Sequence, residues 1–310
     1  MIKCEDLSKQ FTNFWAVDGV SLDVQPGEVL ALLGQNGAGK TTTVRMLTAV
    51  LKPTRGWARV AGYDVATQPQ QVRASVGVLS EMHGLYTRMN AEEYLDYFGQ
   101  IYGLDKPTRR RRGSELIEYF GLAEAARRRT GEYSKGMRQK LALARALLHE
   151  PAVLLLDEPT SAMDPESARL VREHLASLRS ANRAIVICTH NLSEAETLAD
   201  KVAIIYRGRI HVQGTLEELK RRTLGPQEFD LIVGDGADLS RVSLPDGAEV
   251  TAYRADGLRF KTPDPKEHNP RFIRQLTRRG IPVVSLQEVP RNLEHVYLKA
   301  MEAAEQGAIQ

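Results

Sequence analysis

The chain has 310 residues, enough for one large domain with an appendage or for two domains, and its 42% hydrophobic and 26% charged residues suit a soluble globular protein with an ample core. Its apolar runs are strand-length, far short of the roughly 20 residues that span a bilayer, and Met1-Ile2-Lys3-Cys4-Glu5-Asp6 lacks the apolar stretch of a signal peptide. The expected location is therefore cytoplasmic. The net charge of +3 is a weak basic excess, and no aromatic residues interleave with the arginines at 109–112 and 127–129, so no nucleic-acid partner is expected.

In chain order, Val29–Leu33 is a buried strand that runs into a glycine-rich turn. Lys40–Leu51 follows as a helix with Val44, Leu47 and Leu51 on one face and Pro53 as its stop. From Met82 to Glu150 the pattern is mostly helical. One helix begins at Asn90, with Glu93 at capping-box spacing, and ends at Gly103. Another follows Ser134 and stops before Pro151. Strands resume at Val153–Leu156 and Ala184–Cys188, then at Val202–Tyr206 and Arg209–Val212 around a tight Arg207-Gly208 turn. Thr215 and Glu218 mark the start of one more helix. Alternating strands and helices predict an α/β core on a largely parallel sheet.

Composition changes at Leu224-Gly225-Pro226, which reads as a linker and divides the chain into residues 1–223 and 226–310. Beyond it come a strand at Phe229–Val233, a hairpin around Asp256-Gly257, a helix over Pro270–Arg279, a strand at Ile281–Leu286 and a last helix from Asn292. This predicts a small α+β domain without a catalytic cluster. Cys4 and Cys188 fit no metal spacing and read as reduced structural thiols.

Gly34-Gln35-Asn36-Gly37-Ala38-Gly39-Lys40-Thr41, with Thr42 after it, matches the phosphate-binding loop G-x-x-x-x-G-K-[ST] in its strand–loop–helix context. Its glycines turn backbone N–H groups onto phosphate oxygens and the helix N-terminus adds its positive end. A chance match in such a chain is on the order of 1%. Lys40 is expected on the β- and γ-phosphates of ATP and Thr41 on Mg²⁺. The apolar strand 153–156 ends in Asp157 and Glu158. On a strand next to the phosphate loop, Asp157 is expected near Mg²⁺, leaving Glu158 to orient or deprotonate the attacking water.

Tyr133-Ser134-Lys135-Gly136-Met137-Arg138-Gln139 opens a helix shortly before that acidic strand and resembles the L-S-G-G-Q signature of the ATP-binding-cassette ATPases. Ser134 and Gly136 match, while Tyr133, Lys135 and Met137 depart. The resemblance implies a phosphate-loop ATPase core with an antiparallel β edge and a helical insert. It also implies that Ser134 and Gly136 cap the γ-phosphate held by a second protomer, in a homodimer or a heterodimer with a similar chain. Ser161-Ala162-Met163-Asp164 stands at the family's dimer-contact loop, His190 at its γ-phosphate-contacting histidine, and Phe11 where an aromatic stacks on adenine.

Glu81 stands where most members carry a Mg²⁺-ligating glutamine; with the signature region and the ending Leu293-Glu294-His295-Val296-Tyr297-Leu298 it resembles the bacterial drug- and sodium-exporter branch. That likeness implies a subunit peripheral on the cytoplasmic membrane face, energising separate membrane-spanning permease subunits. Leu85, Tyr86 and Met89, just beyond Glu81, are the expected contacts. The alternatives are a soluble cassette acting on ribosomes or DNA, and a phosphate-loop kinase, which would not explain Ser134, Gly136, Asp164 and His190 together.

Overall fold

The computed structural model describes residues 1–80, 84–161, 163–234, 239 and 243–307. The chain divides into two compact units, Met1–Leu216 and Glu217–Ala303, with the chain from Ala304 on grouped with the first.

The first unit is built on a six-stranded sheet of order β10-β9-β3-β8-β7-β6. Its strands are β3 (Val29–Leu33), β6 (Val76–Leu79), β7 (Val153–Asp157), β8 (Ala184–Thr189), β9 (Lys201–Tyr206) and β10 (Arg209–Thr215). All neighbours pair in parallel except β9 and β10, joined antiparallel by the Arg207-Gly208 turn. Alternate residues serve opposite faces, as the two-residue side-chain period requires. Leu154 and Leu156 belong to one core cluster, and Val153 and Leu155 to the other. A separate antiparallel sheet, β2-β1-β4-β5, consists of β1 (Ile2–Phe11), β2 (Phe14–Val24), β4 (Arg55–Val60) and β5 (Tyr63–Asp64).

Helix α1 (Lys40–Leu47) is shorter than the apolar pattern predicts. Thr48 Oγ1 donates back to the Val44 carbonyl, and the N–H groups of Val50 and Leu51 both turn to Arg45 O, closing the helix before Pro53 acts. Helix α2 (Pro69–Ser75) leads into β6. The insert is α3 (Ala91–Ile101), α4 (Lys106–Tyr119) and α5 (Lys135–Leu147). At α3 the capping box is complete: Glu93 N–H donates to Asn90 Oδ1 at 2.9 Å, and Asn90 N–H to Glu93 Oε2 at 3.0 Å. Such a cap contributes about 1 kcal/mol. The 109–112 arginine run lies on α4, where Arg109 pairs with Asp96 and both Arg111 and Arg112 with Glu115. Helices α6 (Pro165–Ser177) and α7 (Leu192–Leu198) complete this unit.

The second unit takes in α8 (Leu216–Leu224) almost whole. The division therefore falls ahead of α8, whereas composition puts a linker behind it. The physical reason is Arg291, whose Nη2 donates to the carbonyls of Lys220 and Gly225 and ties the C-terminal end of α8 to this unit. Its sheet has the order β12-β13-β11-β14, all antiparallel, with β11 (Gln227–Val233), β12 (Glu249–Arg254), β13 (Gly257–Thr262) and β14 (Val283–Glu288). Helix α9 (Pro265–Arg278) packs Phe272 and Leu276 against Phe229, Leu231 and Phe260. It starts a turn earlier than Pro270 suggests, because Asp264 Oδ1 caps Glu267 N–H and Pro265 takes the first-turn position where a missing N–H costs nothing. The last helix is α10 (Leu293–Gly307), capped by Asn292.

Candidate active site

The glycine-rich turn leaves the C-terminal end of β3 and enters α1. Two of its glycines are needed for close approach. A Cβ on Gly34 would lie 2.4 Å from Ile205 O, and one on Gly39 2.7 Å from Ala16 O, with Gly39 also at φ 110°. Gly37, at φ 81°, meets nothing within 4 Å, so the crown of the loop opens outward. Lys40, only 5% exposed, folds back over this crown; its Nζ donates to Gly34 O at 2.6 Å and Gln35 O at 3.2 Å. Thr41 Oγ1 donates to Asp157 Oδ2 at 2.8 Å. Ala38 N–H closes the turn onto Gln35 O, while Asn36 and Thr42 line the same cavity as Lys40.

The strand bearing Asp157 is not the immediate neighbour of the loop strand. β8 lies between β3 and β7, so phosphate loop, His190 and Asp157 stand at the C-terminal ends of three successive strands. Asp157 still reaches Thr41 because α1 runs across toward β7. Ligand sites of open α/β sheets form at such strand ends. Glu158, one residue past β7, sits at φ 52°, a left-handed conformation that costs a carboxylate side chain about 1 kcal/mol. Its N–H extends the ladder to Cys188 O at 2.8 Å. Its carboxylate lies 2.9 Å from His190 Nδ1 and 3.4 Å from Lys40 Nζ. Glu158 is 9% exposed, so the Lys40 ammonium offsets a desolvation that would otherwise expel the charge.

A cavity of about 700 Å³ is lined by Phe11, Trp15, Lys40, Thr41, Asp157 and Glu158, among others. The outward-opening glycine crown suits phosphate oxygens, and the adjacent Thr41 hydroxyl and Asp157 carboxylate are the hard oxygen donors that Mg²⁺ takes. Phe11 lines this cavity with its ring 5.9 Å from that of Phe14 at an interplanar angle of 29°. The structure thus brings together all the expected phosphate-loop residues with Phe11, Asp157, Glu158 and His190.

Ser134 and Gly136 stand apart from that cavity. Ser134 is the exposed N-cap of α5, its Oγ accepting Met137 N–H at 3.2 Å. Gly136 allows close packing on α6: a Cβ there would lie 3.2 Å from Ser167 Oγ and 3.4 Å from Met163 Cε. The departure at Tyr133 has a local reason too, since that side chain is buried and its hydroxyl donates to Ala125 O at 2.7 Å. Asp164 caps α6, and the hydrogen bonds from Ser167 hold its carboxyl below the usual aspartate range. Glu81, the expected third metal ligand, lies outside the described residues.

Several polar residues around the site escaped the sequence reading. Gln139, on the apolar stripe of α5, donates to Pro159 O in the loop after Glu158. Thr160 in that loop donates to the buried Glu194 of α7. For Gln139 the available signal was a glutamine at an otherwise apolar helix position, whereas the spacing of Glu194 after Asn191 is that of an ordinary cap.

Residues 17–161 match the ABC transporter family. The chain is 42% identical over 224 residues to the ABC transporter ATP-binding protein NatA of Bacillus subtilis, covering 71% of this chain and 91% of that protein. It is 35% identical over 302 residues to the daunorubicin/doxorubicin resistance ATP-binding protein DrrA of Streptomyces peucetius, covering 96% and 91%. Among solved structures, an ATP-binding subunit of an ABC transporter superposes with a TM-score of 0.67 at 32% identity, covering 73% of this chain and 93% of that one. A dimeric cassette bound to ADP and Pi, 22% identical, shares the fold with a TM-score of 0.64 over 69% and 98%. With the phosphate loop, the acidic strand end and this likeness together, the chain belongs to the ATP-binding proteins of the ABC transporter family and is an ATP-hydrolysing enzyme.

Proposed function

We propose that this chain binds Mg·ATP in two composite sites of a cassette dimer and that hydrolysis there drives separate permease subunits of the exporter type. In each site Gly34–Thr42 would hold the phosphates, Phe11 would stack on adenine, and Thr41 and Asp157 would hold the metal. The metal, when bound, neutralises charge developing on the phosphate oxygens. Glu158 takes the proton of the attacking water, or fixes that water in line, and His190 holds the Glu158 carboxylate at hydrogen-bond distance. Lys40 Nζ would leave the Gly34 and Gln35 carbonyls and donate to the β- and γ-phosphates. Ser134 and the first-turn N–H groups of α5 would supply the cap on the phosphate bound by the partner cassette.

The observation that carries the membrane reading is a groove of about 880 Å³ that shares Thr41 and Asp157 with the nucleotide cavity. Its rim includes Arg45, Val50, Arg73, Ile101 and Tyr102, from the ends of α1, α2 and α3. Val50 is 65% and Ile101 60% exposed, an apolar rim suited to a short helix of a partner. Of the three residues expected as contacts, Leu85 and Met89 pack on the core cluster. Tyr86 stays half exposed beside Phe98 but does not line the groove, whose exposed apolar contacts are Val50 and Ile101. Among the described residues no helix is long and apolar enough to cross a membrane. The likeness to a daunorubicin/doxorubicin resistance ATP-binding protein supports the exporter branch. Crosslinking from single cysteines at Val50 and Ile101 in native membranes tests this. Capture of a membrane-spanning chain is expected, and capture of ribosomal or DNA-bound material alone would replace this reading with the soluble-cassette one.

A further inference from the structure

The spacing Asn-x-x-Glu occurs at two helix starts in this chain, at Asn90–Glu93 and at Asn191–Glu194. At α3 it forms the reciprocal cap described above, with Glu93 exposed and bonded to Asn90 N–H. At α7 only half of that arrangement exists. Glu194 N–H donates to Asn191 Oδ1 at 3.2 Å, but Asn191 N–H goes to Thr189 Oγ1 at 3.0 Å instead of to Glu194. The Glu194 carboxylate is thereby released from capping and turned inward, where the residue is 1% exposed. It accepts the Thr160 hydroxyl at 2.9 Å and the Thr189 hydroxyl as well. Thr160 and Thr189 are themselves 8% and 0% exposed.

These two threonines flank the catalytic pair. Thr160 lies two residues after Glu158, and Thr189 immediately precedes His190. The parallel ladder between β7 and β8 ends at Asp157, and one further bond, Glu158 N–H to Cys188 O, extends it. Beyond that point, among the described residues, the Glu194 carboxylate joins the two loops side chain to side chain. A buried carboxylate is an expensive way to cap a helix, since desolvation disfavours its charge by several kcal/mol. Burial indeed pushes its carboxyl up, with the two hydroxyl bonds opposing and the nearby Glu158 charge adding to the rise. A helix start needs none of this, as Glu93 demonstrates.

We propose that Glu194 is the positioning residue of the hydrolytic step, clamping the Thr160 and Thr189 hydroxyls so that Glu158 and His190 keep their 2.9 Å contact. This rests on Glu158 and His190 being the working pair. Glu194 touches no reacting atom; it fixes the separation of the two loops that do.

The test is steady-state ATPase and equilibrium Mg·ATP binding on Glu194→Ala, Glu194→Gln, Thr160→Val and Glu158→Gln. Glu194→Ala is expected to lower kcat about 10- to 100-fold, as misplacement by a fraction of an ångström does, with the Kd for ATP changed less than about threefold. Glu194→Gln keeps an acceptor oxygen for Thr160, and the Thr189 hydroxyl can accept from its amide, so kcat should recover to about half of wild type. Thr160→Val, which removes one hydroxyl at constant shape, should lower kcat several-fold without moving Kd, and in the Glu194→Ala background it should add almost nothing. Wild-type kcat in Glu194→Ala or Thr160→Val overturns the proposal, as does a loss in Glu194→Gln equal to that in Glu194→Ala. Should Glu194→Ala fail to fold, Thr160→Val and Glu194→Gln decide alone. Unimpaired turnover in Glu158→Gln would mean instead that the underlying pair was misassigned, which separates the two failures.

Discussion

On the phosphate-loop side, Lys40, Asp157 and Glu158 are 5%, 3% and 9% exposed, and each is tied to its neighbours within the chain. On the signature side, Ser134 and Lys135 are exposed, and the Ser134 hydroxyl does no more than accept one N–H of its own helix. The contrast follows from what each side must do. A buried ammonium and two buried carboxylates are tolerable only when they compensate one another, so that side is assembled before any ligand arrives. An exposed helix start has first-turn N–H groups that only a partner from outside the chain can satisfy. A chain with one half of each kind is suited to meeting a second copy across a two-fold axis, with a nucleotide in each of the two shared sites.

The most severe way to break the buried half is Glu158→Gln. The amide keeps the shape and the hydrogen-bonding reach toward His190 but removes the charge and the basicity. Turnover should fall about 10²- to 10⁴-fold, the range that general-base catalysis supplies, while equilibrium ATP binding persists. Retained turnover would show that water is activated elsewhere.

Lys40→Ala should act on binding instead, because the ammonium contacts phosphate in the ground state. Loss of its charge-assisted hydrogen bonds, about 1.5–3 kcal/mol, corresponds to a roughly 10- to 100-fold weaker Kd. The same variant sharpens the contrast between halves. Lys40→Ala and Ser134→Arg chains should each be inactive alone, and mixed they should regain one intact site per heterodimer. If heterodimers form without recovering activity, the exposed half serves no partner nucleotide.

A milder variant separates the two roles open to Ser134. Ser134→Ala removes the α5 cap and should cost about 1 kcal/mol of stability. Ser134→Asp keeps a capping oxygen, so melting should stay near wild type, yet it sets a negative charge toward an incoming phosphate. A fall in ATPase of about tenfold or more is expected with Asp, by like-charge repulsion of 1.4 kcal/mol or above. Equal activity in Ser134→Asp and wild type would reduce Ser134 to a helix cap.

The same contrast explains what the sequence made legible. The phosphate loop is a local pattern in which glycines and lysine act through backbone within eight residues, so spacing alone exposed Gly34–Thr41. Five strands of the core sheet followed from apolar runs such as 29–33, 153–156 and 184–188, whereas the short edge strand Val76–Leu79 did not. Strand order did not, and the placement of β8 between β3 and β7 is a long-range packing result that no local window contains. The C-terminal end of α1 and the start of α9 differ from the expectation because prolines dominate such readings, while Thr48 and Asp264 decide the actual ends. Glu194 was hidden for a related reason. Its spacing is that of an ordinary cap, and only the direction of its side chain distinguishes it from Glu93.

The smallest expected effect belongs to Phe11, on the phosphate-loop side. Phe11 is half-buried on the last residue of β1, with Phe14 stacked beside it and Lys9 Nζ 5.5 Å from its ring centre. A core phenylalanine would be fully enclosed, as Phe120, Phe260 and Phe272 are. A partly exposed ring on the wall of the phosphate-loop cavity is available to a purine base in a way that an enclosed one is not. Ring–ring contact beyond simple area burial is worth about 0.5–1.5 kcal/mol, so Phe11→Ala should weaken ATP binding about 2- to 13-fold. The loss should be confined to ligands that carry a base. Inorganic tripolyphosphate meets only Gly34–Thr42 and Lys40, and its affinity should be unchanged. Phe11→Trp should restore ATP binding, because a larger ring offers the same face. Equal weakening toward ATP and tripolyphosphate would mean that Phe11 supports the loop through β1 and does not touch the base. In that case the adenine contact passes to its exposed neighbours on the same wall, Phe14 and Trp15.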